Sequence, residues 1–224
     1  METNKFTNYY RLGGISGLKT GKKRFENDIQ RSLAIHPDKK LILYKPGKCA
    51  GTSIFRNILQ PMGGWIIQKD NPKEFSLWIK NITDDEIDKY FSFIFVRNPF
   101  ARLVSFWNDT YRSTHPNFKE FVKIKDNIFK DNIPMLLHYQ TQSSLIETPD
   151  GEKSNINFIG KVENIDNDWR KLCNILNISY TPMVHTKKGK PYENYTSFYD
   201  KETVKIITDM YQRDLQNFNY KFNG

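Results

Sequence analysis

The chain has 224 residues, with 34 Lys and Arg against 25 Asp and Glu, and its formal net charge is +9 at pH 7. This length is enough for one domain with a sizeable core. The basic charge favours a polyanionic partner such as nucleic acid, anionic lipid or a multiply phosphorylated small molecule. Cys49 and Cys173 are too few and too far apart for a disulfide framework or a zinc site.

The first 39 residues are polar and punctuated by glycine, and we predict a peripheral N-terminal segment with a helix around Arg24 to Ala34. Residues 40–224 contain no internal repeat or low-complexity linker, so we predict a single domain there. The opening METNKFTNYYRLGG lacks the apolar core of a signal peptide, and no apolar run could span a bilayer. We therefore expect a cytoplasmic protein without a transmembrane segment. A peripheral membrane contact and the oligomeric state are left open.

Apolar runs alternate with helical patterns along residues 40–224. Buried strands are predicted for KLILY (40–44), FSFIFV (91–96) and INFIG (156–160). Helical spacing of apolar residues follows each run, and further helices are predicted over residues 84–90 and from Asp200 to Phe218. Asn98 is a plausible N-cap for the helix that begins at Pro99. The pattern predicts an α/β fold, with a P-loop-like parallel sheet flanked by helices and ligands at the carboxyl ends of its strands.

The loop GKCAGTS (47–53) has the composition of a phosphate-binding turn between a strand and a helix. Gly51 allows a tight turn, and the amides of Gly51, Thr52 and Ser53 lie at a helix start that favours an anion. Lys48 precedes them, where its charge can stabilise a bridging oxygen as a group departs. The lysine order and the lack of an acidic residue after FSFIFV weaken an ATPase interpretation. An ordinary turn rich in small residues is the alternative for this loop alone.

The second loop, RNPFARLVS (97–105), follows the second predicted strand. Arg97 and Ser105 combine a guanidinium with a hydroxyl and could hold a second phosphate. Alternatively, Arg97 forms a structural ion pair and Ser105 is a helix-surface hydroxyl. Two anion sites at neighbouring strand ends indicate a nucleotide that is phosphorylated at two places.

Five segments together resemble carbohydrate sulfotransferases of the bacterial type related to the heparan 2-O- and chondroitin/dermatan enzymes. They are GKCAGTSI, FVRNPFARLVSFW, HYQTQ, NFIGKVENIDNDW and YQRDLQNFNYKF, and the resemblance runs from about Lys40 to Phe222. The family usually carries P-K-T-A-G-T-S, R-N-P-x-x-R-L-V-S, H-x-x-P-Q and F-I-G-x-x-E-N. This chain departs from those patterns at Gly47, Cys49 and Thr141.

The resemblance implies the sulfotransferase fold and 3′-phosphoadenosine 5′-phosphosulfate (PAPS) as the donor, with no metal. It implies that the phosphosulfate is held by the first loop, through Lys48, Cys49, Ala50, Gly51, Thr52 and Ser53. Lys48 would lie at the oxygen that bridges phosphate and sulfate, and Arg97 and Ser105 would hold the 3′-phosphate. The segment HTKKGKPYENY (185–195) matches a nucleotide-covering region, in which Lys187 or Lys188 contacts the 3′-phosphate.

For the proton acceptor, the resemblance favours His138, in HYQTQ, because that segment matches the family's catalytic histidine region. Imidazole titrates where a hydroxyl-activating base is useful. His36 is expected at the surface, and His115 in a turn, with a place beside the acceptor cleft as the alternative for His115. His185 lies in the predicted nucleotide-covering segment. Glu163 is a further candidate, although an ion pair that holds Lys161, or a role at a helix start, is favoured for it.

The acceptor implied by the resemblance is a hydroxyl of a glycan or glycolipid, in a pocket built from residues 1–39 and 108–132. Two other functions stay open on the sequence alone. One is a metal-dependent kinase of a small metabolite on a similar scaffold. The other is a nucleic-acid-binding protein, which the net positive charge suggests. The sequence, however, contains neither a recognition helix nor an aromatic RNA-binding motif. We expect no nucleic-acid partner.

Overall fold

The computed structural model of the protein describes residues 33–67, 70–129, 138–146, 156–183 and 194–223. In these ranges one sheet is formed by β1 (Leu33–His36), β2 (Leu41–Tyr44), β3 (Ile66–Ile67), β4 (Phe91–Val96) and β5 (Phe158–Lys161). The order across the sheet is β3-β1-β2-β4-β5. Strands are therefore present at all three of the predicted apolar runs.

The sheet is mixed, so the prediction of a parallel sheet is wrong at one side. β2, β4 and β5 are parallel neighbours, with Tyr44 opposite Ile94 and Val96 opposite Lys161. β1 instead runs antiparallel to both β2 and β3. Residues 37–40 join β1 to β2, and so short a connection allows only an antiparallel pair, because a parallel crossover needs about a dozen residues or more.

β1 lies inside the segment that was predicted to be peripheral, and for Leu33–His36 that prediction is wrong. All of this strand is buried, and Ala34 and Ile35 have no exposed surface. The predicted helix around Arg24 to Ala34 is also wrong at Leu33 and Ala34, and its other residues lie outside the described ranges. Pairing with β2 and β3 on either side is what commits this short apolar run to a strand.

Helices cover both faces of the sheet. They are α1 (Gly51–Ile54), α2 (Gln60–Met62), α3 (Pro72–Asn81), α4 (Asp84–Ile87), α5 (Pro99–Thr110), α6 (Phe118–Phe129), α7 (Ile165–Leu176), α8 (Lys201–Met210) and α9 (Gln212–Asn217). A π-helical segment, Phe55–Leu59, joins α1 to α2 without a break, and π turns are frequent at functional sites. Short 3₁₀ turns occur at Ser143–Leu145, Val162–Asn164 and Tyr195–Phe198.

The predicted helix starts are confirmed at two places by their capping bonds. The side chain of Asn98 accepts a hydrogen bond from the N–H of Phe100 at 3.1 Å, with Pro99 in the first turn of α5. Asp200 begins α8 through a capping box with Thr203. The single C-terminal helix predicted from Asp200 is divided, because Tyr211 leaves the helical dihedrals between α8 and α9.

Both faces of the sheet are buried, as side chains that alternate along each strand predict. Tyr44 packs in a cluster with Phe75 of α3, whereas Leu43 packs on the other face with Trp169 of α7. A third cluster lies between α5, α6 and α8 and includes Phe100, Leu103, Phe106, Trp107, Phe118, Phe121 and Ile207. This third cluster fixes α5, the helix that carries one side of the candidate site.

Candidate functional site

The two loops singled out in the sequence meet at the carboxyl ends of β2 and β4. These strands are parallel neighbours, so the residues that follow them emerge at the same edge of the sheet. The guanidinium of Arg97 donates from Nη1 to the backbone carbonyl of Lys48 at 3.4 Å. The arginine after the second strand thus directly contacts the loop after the first.

The first loop has an unusual backbone at two residues that are not glycine. Lys48 has a φ of 65° and Ala50 a φ of 57°, both in the left-handed region, which is costly for a residue with a Cβ. Ala50 is the N-cap of α1, and helical structure continues from Gly51 to Met62. A Cβ placed on Gly51 would have no heavy atom within 4 Å, so open space adjoins the start of this helix. Thr52 is exposed there and Ser53 is buried.

Arg102 fixes the first loop by a hydrogen bond to its backbone, and the sequence did not predict this role. Its side chain is 1% exposed, Nε donates to the carbonyl of Gly47 at 2.9 Å, and Nη1 donates to the carbonyl of Gln140 at 2.7 Å. One buried guanidinium therefore joins the first loop to the HYQTQ segment. The fork geometry of arginine suits this bridge between two fixed carbonyls.

Gln142, the last residue of HYQTQ, joins the same two loops through its side-chain amide. Oε1 accepts from the N–H of Arg97 at 2.8 Å and from Sγ of Cys49 at 3.0 Å, while Nε2 donates to the carbonyl of Arg97 at 2.8 Å. Asp214 in turn accepts from the backbone N–H groups of Gln142 and Ser143, each at 2.8 Å. Gln142 and Asp214 are both fully buried, so this network fixes the positions of both loops.

Cys49 takes part in this network as a neutral thiol. Burial raises its pKa to about 12, against the smaller opposing effect of Arg102 and Arg97. A thiol with so high a pKa is a poor nucleophile. The interpretation of Cys49 as a small packing residue of the loop, rather than as an oxidisable thiol, agrees with this environment.

The side chain of Lys48 crosses from the first loop to the last turn of α5. Its Nζ forms a hydrogen-bonded ion pair with Oδ2 of Asp109, and the two side chains are 16% and 35% exposed. Asp109 lies in the range 108–132 that was expected to border an acceptor, but no motif in the sequence singled it out. The lysine proposed to act on a leaving group thus has a carboxylate partner.

His138 lies within electrostatic reach of Lys48. Burial, then the charges of Lys48 and Arg102, lower the pKa of His138 from 6.5 to about 4. Its ring stacks on Phe106 with centroids 5.5 Å apart, and its buried Nδ1 has no hydrogen-bond partner among the described residues. The imidazole is therefore neutral at pH 7.

Only some of the remaining site residues predicted from the sequence lie among the described residues. Ser105 lies on α5 and is half-buried, whereas Lys187, Lys188 and His185 lie outside the described residues. His36 was expected at the surface, and this prediction is wrong: His36 is 3% exposed, because it ends β1 and packs edge-on against Trp65.

Glu163 joins two other segments of the chain through its carboxylate oxygens. Oε1 accepts from the N–H of Asn98 at 2.8 Å, and Oε2 accepts from the hydroxyl of Tyr220 at 2.8 Å. Asn98 also donates from Nδ2 to the carbonyl of Lys221 at 3.0 Å. The YQRDLQNFNYKF segment is thereby fixed against the start of α5, next to Arg97.

The described residues contain no group of three or more His, Cys, Asp or Glu side chains that could hold a metal ion. Among them, no helix has both the length and the apolar character needed to cross a membrane.

Comparison with known proteins identifies the family. The model of the sulfotransferase family matches residues 31–221, which is most of the chain and includes all of the loops described above. No curated protein and no solved structure gives a significant match. The matched range begins just before β1 and ends after α9, so it contains the whole described sheet. The chain belongs to the sulfotransferase family.

Proposed function

We propose that the protein transfers the sulfuryl group of PAPS to a hydroxyl of a carbohydrate or glycolipid acceptor. The observation that carries this proposal is the juxtaposition of Lys48, Arg97 and His138 around one edge of the sheet. Two cations serve an anionic donor, and a neutral imidazole serves a hydroxyl that must lose a proton. Family membership supports sulfuryl transfer in general, and the choice of donor and acceptor goes beyond it.

The residues of the first loop fit a phosphosulfate. Open space adjoins Gly51, where backbone amides at the start of a continuous helical stretch favour an anion. Lys48 supplies a charge at the rim, and the contact of Arg97 with the Lys48 carbonyl keeps a second cation beside it. We infer that the loop 48–53 holds the phosphosulfate and that Arg97 and Ser105 hold the 3′-phosphate, with Lys187 or Lys188 covering the nucleotide.

Each residue then has a defined part in the reaction. The donor supplies the sulfuryl group, whose bond to the bridging oxygen breaks as a bond forms between sulfur and the acceptor oxygen. Lys48 stabilises the negative charge that develops on the bridging oxygen. His138 takes the proton of the acceptor hydroxyl on a ring nitrogen and becomes imidazolium. The networks of Arg102 and Gln142 hold these groups in place before the substrates bind.

Calorimetry tests the choice of donor. We expect adenosine 3′,5′-bisphosphate, the spent carrier, to bind in the absence of magnesium, and ATP to bind much more weakly. Magnesium-dependent binding of ATP with no binding of the bisphosphate would contradict the proposal and favour the metabolite kinase. Steeply salt-dependent binding to any duplex would instead favour the nucleic-acid-binding alternative.

The acceptor is tested separately, with PAPS labelled in its sulfate and a panel of glycans and glycolipids. Label is expected to appear on the hydroxyl-bearing acceptor and to be stable to conditions that cleave sulfamates. A screen of phenols and amines run in parallel is the control. Transfer to those compounds alone would overturn the carbohydrate assignment without affecting the donor.

A further inference from the structure

The ion pair between Lys48 and Asp109 joins two parts of the chain that the fold holds rigidly. Lys48 has its own carbonyl contacted by Arg97 and the preceding carbonyl, of Gly47, contacted by buried Arg102. Asp109 stands in the last turn of α5, the helix fixed by the third apolar cluster. The lysine side chain therefore starts from a fixed point and ends on a fixed carboxylate.

Helix stability does not explain a carboxylate at this position. The carboxyl end of a helix carries partial negative charge, so an aspartate in the last turn is unfavourable there, and α5 has no basic residue in its own last turn to compensate. The compensating charge comes from Lys48, 61 positions away in sequence. The pair thus involves a residue of the anion-binding loop itself.

We propose that Asp109 is a competing counter-ion for Lys48, which lowers the affinity of the loop for anions and assists the release of the spent carrier. The nature of that anion rests on the proposed function. An ammonium bonded to a carboxylate attracts a phosphate less strongly, and the carboxylate also repels the phosphate directly. Binding of the donor shifts Lys48 toward the bridging oxygen, and departure of the product returns it to Asp109. Asp109 is in this sense a positioning residue, which acts through Lys48.

Anion binding by Asp109→Asn tests this directly, because the amide keeps the shape of the side chain and removes its charge. We expect inorganic pyrophosphate and adenosine 3′,5′-bisphosphate each to bind about five- to tenfold more tightly to this variant than to the wild type, by calorimetry at low salt. Asp109→Glu keeps the charge and should bind like the wild type.

Asp209→Asn is the matched control. It removes one negative charge and one lysine pair, with Lys205, from the exposed face of α8. Its affinity for either anion should change less than about twofold, because exposed charges away from the site are screened. Thermal unfolding of each variant checks that the fold is intact.

The two probes separate failure of this inference from failure of the proposed donor. Equal or weaker binding of pyrophosphate by a folded Asp109→Asn variant would overturn the counter-ion role. Tighter binding of pyrophosphate, with no binding of the bisphosphate by any variant, would leave the counter-ion role standing and reject PAPS. An equal gain in Asp209→Asn would show a general charge effect and would also overturn the inference.

Discussion

The side-chain amide of Gln142 bonds both the N–H and the carbonyl of Arg97, at 2.8 Å each, as a neighbouring strand would. Arg97 directly follows Val96, the last residue of β4, so these bonds hold the backbone just beyond the strand. The same amide oxygen receives the thiol of Cys49 from the first loop. One side chain therefore sets the separation between the two loops that carry the cationic residues.

We predict that Gln142→Ala destabilises the protein by roughly 1 to 3 kcal/mol and weakens binding of adenosine 3′,5′-bisphosphate. The substitution removes both bonds that the buried side chain of Gln142 makes to the backbone of Arg97, and lost hydrogen bonds of buried groups are costly. Urea unfolding and calorimetry measure the two effects.

Gln140→Ala is the control from the same segment. The Nε2 of Gln140 is buried with no partner among the described residues, and the backbone carbonyl that accepts the bond from Arg102 is kept in this variant. This variant should therefore lose much less stability. Equal losses of stability in the two variants would show that the hydrogen bonds of Gln142 do not stabilise the protein.

Arg102→Lys is predicted to lower stability by roughly 2 to 4 kcal/mol, although it conserves charge. A lysine lacks the fixed fork of a guanidinium and cannot bond the carbonyls of Gly47 and Gln140 together, so one of the two loses its bond. Binding of the bisphosphate should weaken as well, because the first loop loses its support. If Arg102→Lys had the urea midpoint and the bisphosphate affinity of the wild type, Arg102 would not be needed to support the first loop.

Much of the layout could be predicted from the sequence because its cause is local. Apolar runs gave the strands, and Asn98 with Pro99 gave the start of α5. The positions of the two loops followed from the rule that parallel strands present their carboxyl ends together. β1 was missed because its burial comes from pairing with β2 and β3, which no local pattern of four residues reveals.

The supporting residues could not be predicted for a related reason. Gln142 stands 45 positions from Arg97, and Asp109 stands 61 positions from Lys48. Gln142 and Arg102 do occur inside the motifs HYQTQ and RNPFARLVS, which was a sign of their importance. A motif names residues without naming their partners, so their roles required the geometry.

Lys48→Ala and Arg97→Ala are predicted to affect different constants. Loss of Lys48 removes charge from the bridging oxygen, so kcat should fall on the order of a hundredfold or more. Loss of Arg97 should mainly raise the Kd of adenosine 3′,5′-bisphosphate, with a smaller fall in kcat. Steady-state kinetics and calorimetry separate the two. Wild-type turnover in Lys48→Ala would show that its role at the leaving group is misassigned.

His138 is predicted to control both stability and activity at low pH. Its pKa is lowered from 6.5 to about 4 in the folded protein, mainly by burial, so the unfolded chain binds the proton more readily. The free energy of unfolding is therefore unaffected by the titration of His138 above about pH 6.5, and it decreases as the pH falls from 6.5 toward 4. The shift corresponds to at most about 3 kcal/mol. His138→Gln removes this titration, so its stability should fall less steeply than that of the wild type between pH 6.5 and 4.

The lowered pKa of His138 also sets the expected pH–rate profile. If His138 accepts the acceptor's proton, kcat/KM should stay level from pH 8 to about 5 and fall only near pH 4, since kcat/KM reports the free enzyme. His138→Ala should lower kcat on the order of a hundredfold or more across that range. His36, whose pKa is also lowered by burial, is present in both proteins and cancels from the comparison. Full activity of His138→Ala at every pH would move the base to another residue, and an acidic limb near 6.5 would show that His138 is solvated in the working enzyme.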